Sequence, residues 1–181
     1  MALFDKVGEK VKRGSDKIKR NHKSEDKKIH QASIYKSFSN SIIYLAGRVS
    51  LIRRHERIAS LITKDIGCKV YSPHELVPNN IPKDQLAKIV FERCVEAMKK
   101  ADVIVADIAV YGKDTASEIG FCYGIGKTVI GITTNKQYEK DFMTKNFTTK
   151  IVDNDEDLIK AIVLTLESLM NMKNKLASPS V

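Results

Sequence analysis

The 181-residue chain contains no tryptophan, only four prolines and only three cysteines. Cys68, Cys94 and Cys122 are odd in number and form no Cys-x-x-Cys pair. This pattern argues against a disulfide framework or a zinc site and favours a reducing compartment. No apolar run approaches the roughly 20 residues that a membrane-spanning helix needs, and the N-terminus has no apolar signal-peptide core. The sequence therefore predicts a cytoplasmic protein and gives no sign of a metal or other cofactor.

Several motifs of common enzyme classes are also absent. The chain has no Gly-x-x-x-x-Gly-Lys-[Ser/Thr], His-Glu-x-x-His or Gly-x-Ser-x-Gly. Gly120, Gly124 and Gly126 do not form a dinucleotide-binding fingerprint, because they lie inside and after a predicted helix instead of opening it. We expect Gly124 and Gly126 to end that helix and form a turn.

The positive charge is concentrated at one end of the chain. The net charge is +9, and residues 1–30 hold ten Lys or Arg against five Asp or Glu. This stretch has few apolar side chains, so residues 1–40 are predicted to be a basic, flexible extension without a core of its own. The extension either binds nucleic acid or an anionic membrane surface, or serves only to increase solubility.

The remainder of the chain alternates between strand and helix patterns. We predict strands over 41–46, 68–72, 103–108, 128–133 and 150–152, and helices over 50–66, 83–100, 116–125 and 155–173. The strands are continuous apolar runs, as expected when helices cover both faces of a parallel sheet. With right-handed crossovers, this predicts a three-layer α/β domain over 41–175. Its doubly wound, flavodoxin-like sheet has five parallel strands in the order 2-1-3-4-5, and 176–181 form a frayed tail.

Polar segments follow the predicted strand ends, and an open α/β sheet binds its ligand outside those ends. The segments are 47–50, 72–75, 107–114 and 133–141. Arg48, after the first strand, either holds an anion or faces water. His74, in the loop after the second strand, is either a site residue or a solvated loop residue.

Glu118 has two interpretations. The sequence Thr115-Ala-Ser-Glu118 fits a helix capping box, with Thr115 at the N-cap and Glu118 at the third helical position. Alternatively, Glu118 is a carboxylate nucleophile that attacks the anomeric carbon of a sugar, as in retaining glycosidases. The spacing alone leaves both interpretations open.

Four short motifs together resemble a known family. They are Ile-Tyr44-Leu-Ala-Gly47, Ala101-Asp-Val-Ile-Val-Ala, Glu118-Ile-Gly and Gly126-Lys-Thr-Val-Ile. The combination is similar to the nucleoside 2-deoxyribosyltransferase superfamily, which includes the 2′-deoxynucleoside 5′-monophosphate N-hydrolases, and it covers about residues 41–165. The resemblance implies that Glu118 attacks C1′ of a deoxyribonucleoside or its 5′-phosphate. The base leaves, and water or a second base resolves the glycosyl-enzyme ester.

The resemblance also implies further site residues. Tyr44 and Gly47 would contribute to the substrate site, and His74 matches a histidine that follows strand 2 in the hydrolase branch. Family members are commonly dimers or larger, with a partner-subunit residue entering from the loop after strand 4. Asp141 falls at that position, which implies a homodimer or higher homo-oligomer.

The sequence departs from the family pattern at three positions. Cys94 stands where the family has an aspartate on the helix before strand 3. Gly112 stands where the transferases have an aspartate, and Asp114 stands where the family has glycine. Asp107 and Asp114 are then the carboxylates that remain to assist Glu118. The departures also leave a second hypothesis, a nucleotide-binding sensor of the same fold with impaired catalysis.

The charges around the expected site do not decide the substrate. Asp114 and Asp141 would disfavour a 5′-phosphate, whereas Arg48 and His74 would favour one. The sequence therefore does not decide whether the substrate is a nucleoside or a nucleotide. It also does not decide whether the reaction is hydrolysis or transfer.

Overall fold

The computed structural model describes residues 33, 37–78, 80–110 and 112–177, without the side chains of residues 137 and 139. The predicted basic stretch over 1–30 lies outside the described residues. The strands are β1 Ile42–Ala46, β2 Lys69–Tyr71, β3 Val103–Asp107, β4 Thr128–Ile132 and β5 Lys150–Val152. The helices are α1 Ile52–Ile66, α2 Lys83–Lys100, α3 Lys113–Gly124, α4 Phe142–Phe147 and α5 Asp155–Ala177.

The five strands form one parallel sheet in the order β2-β1-β3-β4-β5, which confirms the predicted fold and strand order. Successive side chains of a strand point to opposite faces of the sheet. On one face, Ile43, Leu45 and Val105 pack against α1 and α5. On the other face, Tyr44 and Ala106 pack against α2 and α3. The sheet therefore separates two apolar clusters.

Several predicted boundaries differ from the structure. The third helix begins at Lys113, three residues before the predicted start, and β2 is shorter than predicted. The helix α4 follows the predicted 133–141 loop and was not predicted, because its six residues are too few to show a helical period.

One residue within the predicted N-terminal extension belongs to the core. Phe38 is buried in the cluster between the sheet and α1 and α5. Its carbonyl accepts a hydrogen bond from the Ser41 N–H at 2.8 Å. A large aromatic side chain that precedes the predicted boundary at residue 40 therefore packs with the domain core. At the other end, α5 continues to Ala177, beyond the predicted end at 173, and residues 178–181 lie outside the described part.

The turn after α3 confirms the predicted roles of its glycines. Gly124 is the last residue of α3, and Gly126 has a φ of 75°. The Gly126 N–H donates to the Tyr123 carbonyl and the Lys127 N–H to the Cys122 carbonyl, the two bonds of a Schellman motif. The Lys127 ammonium then donates to the carbonyls of Lys99 and Ala101 at 2.7 and 2.6 Å, which ties this turn to the end of α2.

All three cysteines of the chain are buried. Burial raises the pKa of Cys68 and of Cys122 to about 12. Of the helices in the described ranges, none combines the length and the hydropathy that crossing a bilayer requires.

Candidate active site

Glu118 lies in the second turn of α3, not at its start. The helix begins at Lys113 with Gly112 as its N-cap residue, and Thr115 is a buried residue within the first turn. The capping-box interpretation of Thr115 and Glu118 is therefore wrong, because the helix starts before Thr115. Glu118 therefore does not cap the start of α3, and its position calls for another explanation.

Tyr44 holds the Glu118 carboxylate. Tyr44 is fully buried on β1, and its hydroxyl donates to Glu118 Oε1 at 2.6 Å. Burial, followed by the charge of Glu118, raises the pKa of Tyr44 far above its ordinary value. The Tyr44 hydroxyl therefore keeps its proton at any working pH and acts as a permanent donor to the carboxylate.

The environment of Glu118 sets its ionisation close to neutrality. The pKa of Glu118 is raised from 4.5 to about 7, because burial and, to a smaller extent, the charge of Asp114 raise it by more than the Tyr44 hydrogen bond lowers it. Asp114 is exposed in the first turn of α3, one helical turn before Glu118. At neutral pH, the two protonation states of Glu118 are thus similarly populated.

Cys94 completes this group from α2. Its side chain is buried at 8% exposure in the same cluster as Tyr44. Burial raises the pKa of the Cys94 thiol, the neighbouring Tyr44 hydroxyl lowers it, and the charge of Glu118 raises it again. The thiol is therefore neutral and adds no charge beside Glu118.

Asp107 belongs to a different cluster on the opposite face of the sheet. Its Oδ2 accepts from Arg54 Nε at 2.6 Å, and its Oδ1 accepts from the Ala109 N–H at 3.2 Å. The fully buried His55 places its Nε2 3.6 Å from the same Oδ2. Asp107 thus faces α1, whereas Tyr44 and Glu118 meet on the side of α2 and α3. The structure does not bring Asp107 to Glu118.

His55 and Arg54 were not among the predicted site residues. A signal for His55 exists in the sequence, because it precedes Ile58, Ile62 and Ile66 at spacings of three, seven and eleven residues. These spacings place all four side chains on one face of a helix, and all four are buried on α1.

The other predicted residues lie around the carboxyl ends of β1 and β2. Gly47 is buried, and a Cβ there would lie 2.4 Å from His55 Nε2. His74 is in a 3₁₀ turn, Pro73–Leu76, with its Nδ1 3.1 Å from Ser72 Oγ. Arg48 is exposed and precedes the 3₁₀ turn Val49–Leu51.

A cleft of about 720 Å³ opens between the loops after β3 and β4. It is lined by Ile108, Ala109, Val110, Asn135, Lys140, Asp141, Phe142 and Met143. Asp141 is also the N-cap of α4, since its side chain accepts from the Thr144 N–H at 3.0 Å. Neither Glu118 nor Tyr44 is among the described residues that line this cleft, so a single chain leaves Asp141 and Glu118 in separate surroundings.

The model of one protein family, nucleoside 2-deoxyribosyltransferase, matches residues 43–164. The chain belongs to this family. The resemblance predicted from the four motifs is thereby confirmed. Membership indicates an enzyme of the glycosyltransferase or N-glycosidase type.

Two solved structures are similar to this family member. The 2-deoxyribosyltransferase of Bacillus psychrosaccharolyticus is 23% identical with a TM-score of 0.58, over 66% of this chain and 90% of that chain. It has the same fold. The CMP N-glycosidase of Clostridium botulinum is 19% identical with a TM-score of 0.44, over 68% of this chain and 99% of that chain. No curated protein sequence matches the chain.

Proposed function

We propose that this family member cleaves the N-glycosidic bond of a deoxynucleoside or its 5′-monophosphate through a covalent intermediate on Glu118. The observation that carries the proposal is the hydrogen bond from the buried Tyr44 hydroxyl to Glu118 Oε1. A carboxylate held in one orientation by a donor that cannot ionise has the properties of a nucleophile for an anomeric carbon.

The reaction proceeds in two displacements. Because Tyr44 engages Oε1, Oε2 of the ionised Glu118 attacks C1′ of the sugar. The electron pair of the C1′–N bond leaves with the base, which takes a proton from solvent, and a glycosyl ester forms. Attack on C1′ by water gives the free sugar, whereas attack by a second base gives a new nucleoside, and either step regenerates the carboxylate.

The first displacement requires ionised Glu118. With a pKa of about 7, roughly half of the molecules carry the carboxylate at neutral pH. The Tyr44 hydrogen bond favours that form and the charge of Asp114 opposes it. We therefore assign Tyr44 to orientation of the nucleophile and Asp114 to setting its pKa, and Asp107 has no contact that supports a direct role with Glu118.

The charges near the site bear on the substrate. Asp141 and Lys140 line the cleft after β4, and Arg48 and His74 follow β1 and β2. Negative charge from Asp114 and Asp141 would favour a free 5′-hydroxyl, and the basic residues would favour a 5′-phosphate. Both substrate classes belong in the assay for this reason.

We also propose that the protein forms a homo-oligomer in which a second copy covers the cleft after β4. Phe142 and Met143 are 78% and 62% exposed, and Val110 across the cleft is 50% exposed. Adjacent exposed apolar side chains of this size are typical of protein contacts. The same contact would bring Asp141 toward a neighbouring subunit, as the resemblance to the family implies.

A binding module without turnover is the second candidate function. The uncharged Cys94 thiol beside Tyr44 and Glu118 favours it, because that position holds a carboxylate in the family pattern. A protein of this kind would bind nucleosides or nucleotides and release no base.

The deciding experiment measures base release by chromatography from deoxynucleosides, ribonucleosides and their 5′-monophosphates, each with and without a second free base. Glu118→Gln is the test variant. Glu167→Gln is the matched control, because it removes the same charge from an exposed position on α5.

Release by wild type and Glu167→Gln, but not by Glu118→Gln, supports the covalent mechanism. Free sugar as product identifies a hydrolase, and a nucleoside with the second base identifies a transferase. Turnover retained in Glu118→Gln would eliminate Glu118 as nucleophile. No release from any substrate, with ligand-dependent thermal stabilisation of wild type, would favour the binding module.

A further inference from the structure

His55 is a buried polar side chain whose role the reaction does not explain. It is fully buried on α1, and within the described part of the chain neither ring nitrogen has a hydrogen-bond partner. A buried polar group left in this state destabilises a fold, and native structures contain few of them. An apolar residue of similar size would avoid this destabilisation, so space filling alone does not account for a histidine.

The backbone at Gly47, directly after β1, leaves room for this ring. A Cβ on Gly47 would lie 2.4 Å from His55 Nε2 and 2.6 Å from Cε1, and 3.4 Å from Asp107 Cβ. Only glycine therefore lets the His55 ring lie between the ends of β1 and β3. The ring is directed at the Asp107 carboxylate, where Nε2 and Oδ2 are 3.6 Å apart. A movement of a few tenths of an ångström brings them within hydrogen-bond range.

Asp107 connects this cluster to the loop that leads into α3. Its Oδ1 accepts from the Ala109 N–H at 3.2 Å, and the Ala109 carbonyl accepts from Asn135 Nδ2 at 3.2 Å. The loop continues into α3, which carries Glu118. Whatever orients Asp107 therefore orients the start of this loop.

The two basic partners of Asp107 differ in their access to water. The Arg54 side chain is 33% exposed, so solvent competes for it, whereas His55 is fully buried. Three charged or titratable groups act on His55: Asp107 at the end of β3, His74 after β2 and Arg54 on α1. Asp107 favours its protonation, His74 and Arg54 oppose it, and burial opposes it most strongly.

We propose that His55 is a positioning residue that, in its neutral form, donates from Nε2 to Asp107 and thereby holds the start of the loop, from Ile108 to Val110. Burial lowers the pKa of His55 below 6.5, so an opened loop with a hydrated ring binds a proton more readily than the closed one. Acidification through the region below pH 6.5 therefore favours opening. This inference rests on the proposed function only in that the loop leads to Glu118.

The test measures hydrogen exchange at a backbone amide, so its outcome is independent of turnover. Amide hydrogen exchange at Ala109 is measured in the full chain at pH 8 and pH 5.5, corrected for intrinsic exchange, for wild type, His55→Gln and His55→Phe. Glutamine keeps a neutral N–H donor near the Nε2 position, and phenylalanine fills the space without one. Base release is measured on the same samples.

At pH 8, we expect near wild-type protection in His55→Gln and about fivefold weaker protection in His55→Phe, the effect of one net hydrogen bond. Between pH 8 and pH 5.5, protection falls in wild type and stays constant in His55→Gln. Equal protection in both variants at pH 8, or the same pH response in wild type and His55→Gln, would show that His55 only fills space. If His55→Phe does not fold, the pH comparison between wild type and His55→Gln decides alone. If no sample releases base, the proposed function is contradicted, whereas the exchange result still tests the proposed role of His55.

Discussion

The Tyr44 hydroxyl and Glu118 Oε1 are 2.6 Å apart although the two residues are 74 positions apart in the sequence. The contact joins the inner strand β1 to the second turn of α3. One partner is fully buried and remains protonated, and the other has a pKa of about 7. The pair therefore combines a fixed donor with an acid that titrates at physiological pH.

Tyr44→Phe should move the acid limb of the activity profile to higher pH. The hydrogen bond lowers the pKa of Glu118, so its removal raises that pKa above about 7, by roughly one unit for one bond to a charged group. Base release at pH 6–9 measures the shift. Tyr123→Phe, which alters an exposed tyrosine on α3, is the control and should leave the profile in place. An unchanged profile in Tyr44→Phe would show that the Tyr44 hydroxyl does not influence the titration of Glu118.

Glu118→Gln should stabilise the fold at alkaline pH. The folded pKa of about 7 lies above the ordinary value of 4.5, so Glu118 binds its proton more tightly in the folded state. Its contribution is fully present below pH 4.5 and is lost as pH rises through 7. Urea unfolding at pH 8 should show a gain of about 1–2 kcal/mol over wild type, discounted for partial solvation. A gain that did not shrink as pH fell toward 4.5 would point to a cause other than ionisation.

Gly47→Ala should destabilise the domain. The new Cβ would lie 2.4 Å from His55 Nε2, and overpacking of this kind costs about 1–3 kcal/mol. Chemical denaturation measures the change. Gly124→Ala is the control, because its Cβ meets nothing within 4 Å and alanine is favoured over glycine in a helix. In the double variant Gly47→Ala with His55→Ala, the two effects should be less than additive. Full additivity would mean that the ring is not the obstacle.

Phe142→Ser should weaken self-association. Phe142 is 78% exposed, so the substitution removes apolar surface without disturbing the core. Analytical ultracentrifugation over a concentration series should show an oligomer for wild type and a higher dissociation constant for the variant. Leu164→Ser on α5, 60% exposed in wild type, serves as the matched control. A monomeric wild type at all concentrations would contradict the proposed oligomer.

Deletion of residues 1–32 should preserve the fold and reduce binding to anionic surfaces. The deletion removes ten Lys or Arg with five Asp or Glu, and it keeps Phe38, which belongs to the core. Thermal unfolding should be close to that of the full chain, and retention on anionic vesicles and on DNA should decrease. Equal retention of both proteins on both surfaces would leave the basic extension with no role in tethering.

The strand order could be predicted because the physical signal is local and repeated. Continuous apolar runs such as 103–106 identify buried parallel strands, and right-handed crossovers leave few topologies. Helix ends carry a weaker signal. Thr115 and Glu118 satisfy the capping-box pattern, yet α3 begins at Lys113, and the pattern alone contains nothing about the turn that precedes it.

The candidate site was only partly predictable for a different reason. Glu118 and Tyr44 were identified through motifs, but their hydrogen bond joins residues that the sequence separates widely. The partners of Asp107 depend on which face of the sheet its side chain takes, and this is fixed by the register of β3 against β1. His55 lies on the apolar stripe of α1, where a polar residue is easily passed over.

The burial of Cys68, Cys94 and Cys122 has a practical consequence. Thiol-reactive dyes need an accessible thiolate, and burial keeps all three native thiols protonated and enclosed. A single cysteine introduced at an exposed position, such as Lys145 on α4, should therefore react selectively in the otherwise unaltered protein. A fluorescent pair attached in this way would report directly on the approach of two copies.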